Sequence, residues 1–107
     1  MKITNDPFAI VIKVFQQLYP DKTALIQWGD TLDASKKEYG STTFQDDGIP
    51  VIGLNPNLIV LVAVEILAHE LAHVAAGIDA KHNDEWDKCF EAIHNKYFEI
   101  IAKPYDT

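Results

Sequence analysis

Apolar residues recur at helical spacing towards both ends of the chain and gather in short runs between them, a pattern that predicts helices flanking a small sheet. Near the start, Phe8, Ile12, Phe15 and Tyr19 return every three or four positions, the period of one face of an amphipathic helix. Asp6-Pro7 precedes them, an N-cap followed by proline at the first helical position, and Pro20-Asp21 ends the segment. Ala24 to Trp28 reads as a short strand closed by Gly29-Asp30. Asp30 to Lys37 is polar and is expected to be loop. Tyr39 to Gln45 contains Thr42, Thr43 and Phe44, which favour extended backbone. Asp46-Asp47-Gly48 is a hairpin signal, with Ile49 to Leu54 as the returning strand.

Asn55-Pro56 repeats the pairing of N-cap and first-turn proline and predicts a helix running to about Ala76. From Leu58 onward nearly every residue is apolar apart from Glu65, His69, Glu70 and His73, the pattern of a helix buried all round. Gly77 supplies its stop. Ile78 to Asn83 is loop. A last helix follows from Asp84, read as N-cap with Glu85 in the first turn, to about Ala102. Trp86, Phe90, Ile93, Tyr97 and Ile100 form its inward stripe, and Pro104 closes the chain. The expectation is one α+β domain over residues 1–107, with an N-terminal helix, a small three-stranded, mainly antiparallel sheet, a buried helix and a C-terminal helix.

Charge narrows the partners. Nine basic residues face sixteen acidic ones, a formal net charge of -7. That balance opposes a broad electrostatic footprint for nucleic acid or anionic membrane, so no nucleic-acid and no membrane partner is expected. Cys89 is the single cysteine, which excludes an intrachain disulfide and a cysteine zinc ribbon. The opening residues MKITNDPF lack the apolar run of a signal peptide. The apolar stretch Leu58 to Ala68 is too short to span a bilayer. A soluble, cytoplasmic protein is expected.

The chemistry lies in His69-Glu70-Leu71-Ala72-His73. Four-residue spacing on a helix places both imidazoles on one face, one turn apart, where two ring nitrogens can bind one zinc ion. Glu70 projects to the side of such a metal, where a water would sit, and HExxH on a helix is a zinc-hydrolase signature for that reason. Three ionisable groups in an apolar helix need compensation. A catalytic zinc takes three protein ligands and one open position. The third must come from beyond Gly77. His82 is preferred, with Asp79, Asp84 and Glu85 as rivals. Glu65, one turn before His69, could orient a ligand imidazole through its second nitrogen. Tyr97, His94, Tyr39 and Tyr105 are candidates by type for stabilising an oxyanion, although Tyr97 falls on the packing stripe.

HELAHVAAG, a short loop and then HNDEW resemble the metal-binding region of SprT-like metallopeptidases, within the zincin superfamily. In that family a third histidine follows the HExxH helix, often as H-G-x-x-F/W. Here Asn83 stands in the glycine position, while His82 and Trp86 keep theirs. Val51-Ile52-Gly53-Leu54-Asn55-Pro56 is similar to the family's strand-to-helix entry, and the resemblance spans roughly residues 49–95. It implies a minimal zincin-like domain, a zinc cofactor held by His69, His73 and His82, and proteolysis with Glu70 as general base. A peptide or protein is then the substrate, with Ile49 to Leu54 offering a strand edge to it. Separately, so small a domain has room for little cleft on the far side of the metal, and a partner chain that completes the cleft is an expectation from size alone. Many SprT-like proteins carry a cysteine zinc ribbon and bind DNA. One cysteine and an acidic balance do not support DNA-linked substrates here. Two other functions compete: a metal-dependent nuclease of the three-histidine type, for which a basic surface is expected, and a non-catalytic zinc-binding or regulatory module.

Overall fold

The structure is a computed structural model and describes residues 6–46 and 48–102. Its order is helix α1 (Pro7–Leu18), strands β1 (Leu25–Trp28), β2 (Gly40–Thr43) and β3 (Val51–Leu54), then helices α2 (Val60–Ala76) and α3 (Asp84–Ala102). The α+β class and the order of elements agree with the reading from sequence. Asp47, Pro104, Tyr105 and residues 1–5, for which the sequence carries expectations, lie outside the described residues.

The opening cap forms as expected. The Asp6 carboxylate accepts from the backbone N–H groups of Phe8 and Ala9 at 3.0 and 3.4 Å, meeting two of the donors that a helix start leaves unpaired. The buried face of α1 is Val11, Val14 and Phe15, while Phe8, Ile12 and Tyr19 pack against the core from its rim.

The sheet corrects the antiparallel expectation. Its order is β1-β3-β2, with β1 parallel and β2 antiparallel to β3. The link from β1 to β2 passes across the end of β3, which leaves β1 on the far side of β3 and running with it. Asn55 holds that crossing. Its side-chain amide donates to the carbonyls of Glu38 and Leu32 at 3.0 and 3.4 Å, and its Oδ1 accepts from the Asn57 N–H at 2.9 Å. Asn55 is buried, at 1% exposure, with its polar atoms engaged as burial demands. This engagement explains a second departure: Asn55 does not cap a helix. The next helix starts at Val60 with Ile59 in the cap position and no side-chain cap. Within the link, Ala34–Lys36 forms a short 3₁₀ turn.

Helix α2 is not buried all round. Its buried positions begin at Ala63 and continue through Val64, Leu67, Ala68, Leu71, Ala72 and Val74, whereas Ile59, Val60 and Leu61 stand exposed. From Val64 onward this set packs with Val11, Val14 and Phe15 of α1, Ile52 and Leu54 of β3, and Cys89, Ile93 and Tyr97 of α3 in one core. A contiguous apolar cluster of this kind carries most of the folding free energy of a small domain. Its functional result is a well-supported α2, pressed on one side against β2 and β3 and on another against α3.

Candidate metal centre

His69 and His73 emerge from the second half of α2. The helix then ends at Gly77, whose backbone, at φ 95° and ψ 164°, lies in a region almost closed to residues with a Cβ. Its N–H donates to the carbonyl of His73 at 3.0 Å. Two tight turns follow, Ala80 N–H to Gly77 O at 3.1 Å and Asn83 N–H to Ala80 O at 3.0 Å. They swing the chain back so that His82 returns over the helix it has just left.

The result is a convergence of three imidazoles. His82 Nε2 lies 3.1 Å from His73 Nε2 and 3.2 Å from His69 Nε2. Zinc–nitrogen bonds of about 2.0–2.1 Å at tetrahedral angles would place ligand nitrogens roughly 3.3–3.4 Å apart. The donor set therefore fits a small tetrahedral cation, and the cluster is one that could hold a metal ion. Asp79, Asp84 and Glu85 do not join it.

Burial pushes the His69 ring below its usual pKa of 6.5, and the neighbouring His82 adds to the effect. Burial lowers His73 as well, against the pull of the Glu70 carboxylate and with the help of the other two imidazoles. Neutral imidazole is the form that offers a lone pair to a metal. Glu70 moves the other way. Burial raises its pKa, while a hydrogen bond from Thr42 and the proximity of His73 and His82 oppose the rise.

Trp86 walls one side of the cluster. Its ring centroid lies 4.8, 5.6 and 5.0 Å from those of His69, His73 and His82. Its indole N–H donates to the His69 carbonyl at 3.3 Å, and Phe90 stacks behind it at 5.2 Å. Trp86 is placed by the first turn of α3, whose cap is Asn83 and not Asp84. The Asn83 Oδ1 accepts from the Glu85 and Trp86 N–H groups at 3.0 and 3.2 Å, which puts Asp84 one position inside the helix. The residue in the glycine position of the family pattern thus has a capping role of its own.

On the open side lies a cleft of about 610 Å³, lined by β2 (Gly40, Ser41, Thr42), Phe44, His69, Glu70, His73, Ile78, Lys81 and His82. That volume is in the range of small-molecule and peptide sites. Thr42 and Gly40 were not singled out from the sequence. Thr42 Oγ1 donates to Glu70 Oε1 at 2.7 Å. A Cβ on Gly40 would stand 2.5 Å from Ile66 Cγ2 and 3.0 Å from Glu70 Oε2, so glycine lets β2 pass this close to α2. Neither residue carries a local signature, because each matters only through a strand-to-helix contact distant in sequence.

Other candidates are placed elsewhere. Glu65 does not support a ligand imidazole; its Oε1 lies 3.1 Å from His94 Nε2, so the two candidates occupy each other. Tyr97 is in the core at 9% exposure, as its stripe position implied, and neither it, His94 nor Tyr39 lines the cleft. The strand Ile49 to Leu54 has no free edge, because β3 is central and paired on both sides. The edge beside the histidines belongs to β2.

No helix among the described residues is long and apolar enough to cross a membrane. The chain matches no family model, no curated protein and no solved structure among those compared.

Proposed function

We propose that this chain is a zinc-dependent metallopeptidase of the SprT-like zincin type, acting on peptides or proteins in the cytoplasm. The observation that carries the reading is the placement of a buried carboxylate, Glu70, on the helix that bears His69 and His73 and in the cleft where these two converge with His82. His69, His73 and His82 would hold the ion. Zinc, when bound there, supplies a water made acidic near neutral pH and polarises the scissile carbonyl. Glu70 accepts a proton from the attacking water and returns it to the departing amine nitrogen, so the C–N bond breaks with no net consumption of the carboxylate.

The sheet supports one geometry for such a substrate. β2 is hydrogen-bonded on one side to β3, and its residues Gly40, Ser41 and Thr42 form a wall of the cleft. An extended peptide could add to its outer edge, gaining main-chain hydrogen bonds with little demand on side-chain identity. This replaces the edge expected at Ile49 to Leu54. The three-histidine nuclease is disfavoured by charge: among the described residues Lys81 is the one Lys or Arg side chain in the cleft lining, too little to track a phosphate backbone.

The test is hydrolysis of a broad peptide library and of single-stranded RNA by chelator-treated protein with and without added zinc. Peptide cleavage that appears with zinc and is absent from the Glu70→Gln variant supports the reading. RNA cleavage without peptide cleavage would select the nuclease, and zinc binding with neither activity would select a non-catalytic module.

A further inference from the structure

A general base has to meet its proton at hydrogen-bond distance in a narrow range of directions. A glutamate side chain has three rotatable torsions, and their freedom must be removed by neighbours for such precision. α2 fixes the Cα of Glu70 but not its carboxylate. The contacts that do so come from β2. Thr42 and Gly40 point to the same face of the strand, two residues apart, and that face meets α2. Thr42 Oγ1 lies 2.7 Å from Glu70 Oε1 and 3.3 Å from the Glu70 carbonyl oxygen. Its single proton is directed to the nearer acceptor, and a 2.7 Å O–H···O⁻ contact is a strong, charge-assisted bond.

The donor is itself well held. Thr42 is in register with Ile52 of the central strand, and Ile52 is fully buried. As a β-branched residue Thr42 has few χ1 choices. Glu70 Oε2 accepts no hydrogen bond among the described residues, yet among them no buried side-chain nitrogen or oxygen lacks a partner. Oε2 therefore keeps access to the cleft. The absent Cβ of Gly40 leaves it room, since a methyl group there would stand 3.0 Å away.

We infer that Thr42 is the positioning residue for Glu70, pinning Oε1 so that Oε2 is the oxygen presented for proton exchange. This rests on the peptidase reading for its catalytic meaning, while the hold on the carboxylate is a property of the metal-free fold.

Two variants separate the hydroxyl from the shape of the side chain: Thr42→Val keeps the branching and removes the donor, and Thr42→Ser keeps the donor. In the peptidase assay Thr42→Val is expected to lower kcat about 10–100-fold, the loss usual for removing a residue that orients another, with KM and zinc affinity near wild type. Thr42→Ser is expected to recover most of the loss. A readout independent of activity is the ¹³C resonance of the Glu70 carboxyl in metal-free protein. It should stay sharp in wild type and Thr42→Ser and shift or broaden in Thr42→Val. Thr42→Ala serves as the donor-free variant if valine prevents folding. A wild-type resonance in the donor-free variant overturns the inference, as does an unchanged kcat in an active enzyme. A moved resonance in a protein that cleaves nothing upholds the hold on Glu70 and overturns the peptidase reading instead.

Discussion

The Nε2 atoms of His73 and His82 stand 3.1 Å apart, although one belongs to a helix and the other to the loop that follows it. The proximity is made by the chain reversal at Gly77, and it assigns the third donor to a histidine and not to a nearby carboxylate. His82→Ala should therefore reduce zinc affinity by more than the roughly 10–100-fold expected for an indirect partner. Asp79→Ala, Asp84→Ala and Glu85→Ala should each leave it within the scatter of wild type. Competition with a chromophoric chelator measures all four.

Glu70→Gln tests chemistry without touching the donor set. The amide keeps the shape of the side chain but cannot take a proton. Turnover should fall at least about 100-fold, in the range assigned to a positioned acid–base group, while zinc content stays at the wild-type ratio. Loss of zinc together with activity would move Glu70 from proton transfer to structural support.

Two glycines should fail for different physical reasons when changed to alanine. At Gly40 the methyl group meets Ile66 and Glu70, an overpacking expected to cost about 1–3 kcal/mol. At Gly77 the space is open, with nothing within 4 Å, but φ is 95°. A Cβ there brings backbone strain of about 1–3 kcal/mol. Urea denaturation gives both costs. Only Gly77→Ala should also weaken zinc binding strongly, because it alone sets the return of His82.

The pH dependence of the metal-free fold follows from the two buried imidazoles. His69 and His73 are lowered from the usual 6.5, so below that value the unfolded chain binds more protons than the folded one. Stability is free of this penalty above 6.5 and declines as pH falls through it towards the folded values. Glu70, raised above 4.5, acts in the opposite sense, with its contribution present at low pH and lost as pH rises through its folded value. In the Glu70→Gln variant, where that opposing contribution is absent, denaturation midpoints should be lower at about pH 5.5 than at about pH 7.5. Adding His69→Gln should narrow that gap. An equal gap in the double variant would contradict the assignment.

What could be read from the sequence follows the range of the interactions involved. The α1 cap, the HExxH pair and the return of His82 depend on neighbours a few turns away, and periodicity and turn residues report those directly. Asn55 shows the limit. Next to Pro56 it has the form of a helix cap, but its amide is taken by Leu32 and Glu38, in a link whose path is set by the sheet. The parallel placement of β1 was hidden for the same reason, since short apolar strands do not record their neighbour's direction. Glu65 looked like support for a ligand because helical spacing points it towards His69. The choice of partner was made by His94 on another helix. Thr42 was an ordinary strand threonine until the fold laid it on Glu70.

All three nitrogens of the cluster come from residues 69–82, a single stretch of chain. An ion bound there would tie α2 to the entrance of α3 as a reversible cross-link, closing a loop whose ends, His73 and His82, are nine positions apart in the chain. Cross-links of this kind act chiefly by restricting the unfolded chain. Because the tie is local, the ligand set includes no residue of the sheet or of α1.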